Sequence, residues 1–85
     1  PYIVHWPNGI RTTGQLRHDP CHLVDIVPTM VELGGGKPES VVPAGSPALA
    51  GQSLTPAFAK DGALRREFLY FHHNNNRAVR AGDWK

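Results

Sequence analysis

Two adjacent histidines, His72 and His73, stand directly before Asn74, Asn75 and Asn76 and the run Arg77-Ala78-Val79-Arg80. Imidazole changes charge near neutral pH, and a guanidinium presents a planar fork of donors that matches oxyanions. Successive side chains of a strand face opposite sides, so one of the two histidines can be buried while the other meets solvent or a pocket. The charge pattern agrees. Residues 65–85 hold Arg65, Arg66, Arg77, Arg80 and Lys85 against Glu67 and Asp83, a net +3, whereas residues 1–64 carry −1. The C-terminal stretch is therefore where an anion would be met. There is no Lys/Arg run and no nucleic-acid module signature, so a nucleic-acid partner is not expected.

The remaining chemistry-bearing residues read as structural. A His-x3-His metal pair at His18 and His22 would need one helix running through Pro20, which that residue forbids, so zinc is not expected and the chain is expected to bind no metal. Cys21 is the single cysteine, which excludes an internal disulfide, and it reads as a plain thiol. Asp25 opens the stretch Asp25-Ile26-Val27-Pro28-Thr29, where the cap of a helix is a better account of a carboxylate than a metal ligand.

These residues need elements to hold them. "PYIVHWP" reads as a short strand bounded by prolines, with "PNGI" as a turn after it. Residues 11–21 lack periodicity and read as a loop. In "HLVDIVPTMVELGGG", Ile26, Val27, Met30, Val31 and Leu33 form one apolar stripe, with Asp25, Thr29 and Glu32 on the other. Pro28 fits only in a first turn, and Gly34, Gly35 and Gly36 end the helix. Two or three turns are not stable alone, so the apolar stripe is expected to lie on a sheet. Residues 37–52 have loop composition, a single helical turn is expected at 56–59, and "REFLYFHH", "NNN", "RAVRAGDWK" predict a β-hairpin with a further bend at "AGD".

With 85 residues the chain is at most one small domain, burying about 60–65% of its unfolded surface. Its 8 prolines and 9 glycines leave room for only a few short elements. No apolar run reaches the roughly 18 residues that span a membrane, and no signal-like start is present.

Taken in order, "PYIVHWPNGI", "VDIVPTMVELGG", "GQSLTP" and "RAVRAGDWK" resemble elements toward the C-terminal end of sulfatases, over nearly the whole chain. The resemblance implies a fragment of an alkaline-phosphatase-like α/β fold. Residues 1–36 would be the end of the main domain, a late main-sheet strand with its covering helix. Residues 37–66 would be a connecting region, and 67–85 a hairpin entering a small C-terminal antiparallel sheet. It implies a sulfuric ester hydrolase acting on a sulfated small molecule or glycan, exported, periplasmic or lysosomal. Such an enzyme uses calcium and a formylglycine made within Cys-x-Pro-Ser-Arg. Cys21 is followed by His22 and Leu23, so it is not that cysteine, and no residue of this chain carries over as catalytic. The family often has a His-x-Gly-Asn-Arg stretch near the active-site mouth. His73, Asn76 and Arg77 match it as candidate substrate contacts, with Asn75 in place of Gly; a purely structural hairpin turn is the alternative. Arg80 reads as a strand-surface or interdomain residue, and Ala50 stands where the family often has Asp. A phosphate or phosphonate monoester hydrolase of the same superfamily, or an independent interaction module, stays open. The isolated chain is expected to be inactive and to self-associate through its uncovered apolar faces.

Overall fold

A computed structural model describes residues 1–85. Four regular elements follow one another: α1 (Ile26–Leu33), α2 (Thr55–Ala59), β1 (Leu69–His73) and β2 (Asn76–Arg80), with 3₁₀ turns at Leu23–Asp25 and Pro38–Val41. Only 6 of 85 residues are buried, and the radius of gyration is 14.2 Å, against about 12 Å for a compact domain of this length. Apolar burial alone therefore does not hold these elements together.

Helix α1 forms as its sequence predicts. Pro28 lies in the first turn, where its missing N–H leaves no intrahelical bond unmade. The end is a Schellman arrangement: Gly36 N–H donates to the Val31 carbonyl at 2.9 Å and Gly35 N–H to the Glu32 carbonyl at 2.9 Å. Gly35 takes φ 80, a conformation that other residues adopt only with strain.

The face on which α1 packs is not the expected one. Asp25, Pro28 and Thr29 are buried, while Val27, Met30 and Leu33 remain 51%, 63% and 38% exposed. The helix docks by its polar stripe onto residues 51–55. Thr29 Oγ donates to the Asp25 carbonyl at 2.6 Å and accepts the Leu54 N–H at 2.9 Å. One turn earlier the Asp25 carboxylate accepts the Gln52 N–H at 3.0 Å. Gly51 permits this approach, since a Cβ there would run into the Val24 carbonyl and come within 2.9 Å of Asp25 Cα. Leu54 and Ala57 then close a small core beside α1. Helix α2 begins one residue before the expected turn, with the Ser53 and Thr55 hydroxyls bonded to each other ahead of Pro56.

The strand expected over residues 1–7 does not form. A strand needs a neighbour for its outward N–H and C=O groups, and the one sheet is the two-stranded β1–β2 hairpin. The turn that follows is present, with Gly9 and Ile10 N–H groups donating to the Trp6 carbonyl at 3.1 and 2.8 Å, and Trp6 meets Phe58 edge-on at 6.4 Å. Residues 11–21 are irregular, as read, yet firmly tied. Arg17 Nε donates to the Ala57 carbonyl at 2.8 Å, serving the C-terminal end of α2, and the Asp19 carboxylate accepts the N–H groups of Gly62, Ala63 and Leu64.

The Thr29 hydroxyl thus joins two segments. Thr29→Val keeps the shape but leaves the buried Leu54 N–H without an acceptor, and should lower the unfolding free energy by about 1–3 kcal/mol. Thr29→Ser keeps both bonds and loses one methyl, costing about 1 kcal/mol. Urea unfolding followed by tryptophan fluorescence checks this; equal losses would show that the hydroxyl is not what joins them.

Candidate functional site

The hairpin carries the candidate residues. Its register pairs Leu69 with Arg80, Tyr70 with Val79, Phe71 with Ala78, His72 with Arg77 and His73 with Asn76. The loop is Asn74-Asn75, and Asn74 alone of the non-glycine residues has a positive φ, 53. Residues directly opposite on an antiparallel pair share a face. His73 and Asn76 therefore project together, on the face of Leu69 and Phe71, whereas Arg77 projects with His72 on the other. The register brings two of the three candidates together and separates the third from them.

The inner face looks onto the start of α1. The His22 ring lies 4.8 Å from that of Phe71. His22, Arg66, Phe71, His73 and Asn76 border an open groove of about 700 Å³, and Arg77, next to Asn76 but on the other face of the hairpin, borders it as well. That volume lies in the range of small-molecule sites, and the lining combines aromatic rings with cationic and hydrogen-bonding groups. Such a groove can stack a ring and hold an anionic substituent. It contains no nucleophile paired with a base.

Arg66, a wall of this groove, is anchored by Asp25. One guanidinium nitrogen meets the carboxylate at 2.7 Å, the arginine side chain being 14% exposed and the aspartate fully buried. The same carboxylate accepts the His22 N–H at 2.7 Å and the Gln52 N–H at 3.0 Å. Asp25 is therefore not the cap expected for α1. Its backbone is already helical, φ −77 and ψ −15, so its side chain turns back to the 3₁₀ turn and outward to two distant segments. Burial pushes the Asp25 carboxyl up, but the Arg66 hydrogen bond, the two backbone N–H groups and the Arg66 charge together outweigh it and hold it below its ordinary 3.8. Arg66 was not singled out in the sequence; the adjacent pair Arg65-Arg66 just before β1 was its only mark.

Neither calcium nor formylglycine fits the residues present. No group of three or more His, Cys, Asp or Glu side chains converges, Asp25 is already filled by three donors, and exposed Cys21 lacks the surrounding motif. No helix is long and apolar enough to cross a membrane.

No family model and no solved structure matches the chain. Over all 85 residues it is 31% identical to the N-acetylgalactosamine-6-sulfatase of Mus musculus, and over 74 residues, 86% of the chain, 34% identical to arylsulfatase D of Homo sapiens. It spans 15% and 11% of the lengths of these two proteins. The similarities support a sulfatase-family relationship, as the order of the four motifs implies.

Two outcomes are expected at this site. A depressed carboxyl contributes stability that is complete above its unfolded pKa and disappears as pH falls through the folded one. Asp25→Asn should therefore cost about 3–5 kcal/mol at neutral pH, because Arg66 loses its buried partner. The gap from wild type should narrow only below the ordinary value of 3.8, which urea titrations across pH would display. At the turn, the positive φ belongs to Asn74. Asn74→Gly should be neutral or stabilising by up to about 1 kcal/mol, and Asn75→Gly destabilising by about 0.5–1 kcal/mol, as read from thermal melts.

Proposed function

We propose that this chain is a non-catalytic C-terminal portion of a sulfatase, an exported or lysosomal enzyme that hydrolyses sulfate esters with calcium and formylglycine held elsewhere in the protein. The observation that carries the reading is similarity to two sulfatases over 100% and 86% of the chain. The segment's contribution is architectural and recognitional. Asp25 and Arg66 set the hairpin against the start of α1, and the hairpin presents His73 and Asn76 to the groove. Arg77 supports an anionic substrate from the rim, where a sulfated sugar would extend past the reacting ester. The apolar stripe of α1 faces the remainder of the enzyme.

In the enzyme that carries this chain, His73→Ala should raise KM for a sulfated sugar more than it lowers kcat, because a contact away from the reacting sulfur serves ground and transition states alike. One lost hydrogen bond to a charged or sugar group amounts to roughly ten- to hundredfold. A small aryl sulfate, too short to reach the hairpin, should be turned over at an unchanged rate. Unchanged kinetics with both substrates and a lower melting temperature would make the hairpin structural. Hydrolysis of phosphate esters in preference to sulfate esters would remove the sulfatase reading.

A further inference from the structure

Where the groove meets the start of α1, two of its side chains are fixed by one oxygen atom. Asp25 Oδ2 accepts the His22 backbone N–H at 2.7 Å and a proton of Arg66 Nη2 at 2.7 Å. The imidazole and the guanidinium are therefore held as a unit around a fully buried carboxylate. The same arginine nitrogen has a second acceptor. With its amide oxygen turned toward Arg66, Gln52 accepts from Nη2 at 3.3 Å and donates to the Arg65 carbonyl at 3.1 Å. Arg66 Nε is enclosed, out of a ligand's reach. The nitrogen left to meet a ligand is Nη1, on a side chain that borders the groove.

His22 is set as firmly. Its Nδ1 accepts the Val24 N–H at 3.2 Å, so the neutral ring carries its proton on Nε2. Phe71 packs against the ring at 4.8 Å, the two planes inclined by 39°. The half-buried imidazole thus brings one oriented N–H donor to the groove. No Asp or Glu lines that groove, whereas Arg77, His72 and His73 do. Paired N–H donors of this kind suit an oxyanion. Asp25 lies behind Arg66 and offsets its charge, so directed hydrogen bonds rather than net charge would hold the ligand. Every contact that shapes this corner lies within the chain.

We propose that the corner is a subsite for a second anionic substituent of a sulfated sugar, a carboxylate or a further sulfate. The anion accepts from His22 Nε2 and Arg66 Nη1, while the ester to be cleaved lies beyond the groove. His22 and Arg66 then select polyanionic sugars from among sulfated ones. The proposal rests on the reading of the groove as a substrate site.

Three disaccharides test it, each with one sulfate ester, differing on the second ring only by a hydroxyl, a carboxylate or another sulfate. The wild-type enzyme that carries this chain should prefer the two dianionic sugars roughly ten- to hundredfold, in KM rather than kcat. His22→Asn keeps an oxygen for the Val24 N–H, as a good capping residue does, and deletes Nε2. Arg66→Lys keeps a cation against Asp25 and deletes the fork. Each should reduce the preference about tenfold, the worth of one hydrogen bond to a charged group. A disturbance of the fold would instead weaken all three sugars alike, leaving the ratio unchanged and overturning the proposal. A preference for the carboxylate alone, or for the sulfate alone, supports it and names the anion. Equal KM for the three sugars in the wild type overturns it, as does a preference that survives both variants. If none of the three is hydrolysed, the sulfatase reading fails, and calorimetric Kd values for the same sugars and variants decide the subsite by the same ratio.

Discussion

The arrangement depends on one buried carboxylate. Asp25 is fully enclosed, and a charge in that position persists only if it is paired and its lone pairs are filled. Three donors do this: the His22 N–H from the turn before α1, the Gln52 N–H from the segment before α2, and Arg66 from the approach to β1. Each reaches Asp25 from a different part of the chain, so satisfying the carboxylate assembles those parts. In a chain with so small an apolar core, this polar clamp positions the elements that the core would otherwise hold. Thr29 extends it along the same stripe of α1. The Ser53 and Thr55 hydroxyls hold the Glu32 carboxyl below its ordinary range.

The clamp also explains why Val27, Met30 and Leu33 of the apolar stripe lie outward while Ile26 and Val31 are half-buried. Amphipathicity ordinarily predicts which face is buried because apolar area dominates the free energy. Here the polar stripe carries hydrogen-bonding groups whose partners lie within the chain, while Val27 and Met30 find no apolar surface large enough to cover them. Arg66 takes part in both scaffold and groove. The groove's cationic wall is therefore fixed by the same contact that docks the helix, and the spacing between His22 and Phe71 follows from it.

What could be read in the sequence divides by the range of the signal. Helix α1, its first-turn proline and its glycine end, and the hairpin with its asparagine turn all rest on residues within a few positions of one another, and they stand as read. The strand over residues 1–7 failed because strand propensity is only a readiness to pair, and pairing needs an edge. The clamp was illegible for a different reason. Asp25 lies 27 residues from Gln52 and 41 from Arg66, and no periodicity connects them. At the groove, residue types were legible while grouping was not, since the register decides which face each residue shares. The loop at 11–21 looked featureless because its order comes from Arg17 and Asp19 reaching segments 40 or more residues away.

Those sequence separations bear on the order of assembly. Closing a loop of that length costs entropy before any contact can offset it, and a hydrogen bond to a half-exposed partner offsets little. The hairpin and the turn of α1 are local and can appear within microseconds, in the range known for such elements. The ties from Arg17, Asp19 and Asp25 must wait until distant segments have met. The strongest contacts in the finished molecule are then among the last to form, and they act as a lock on a topology that something else, the covering of the bare stripe of α1 included, has first brought together.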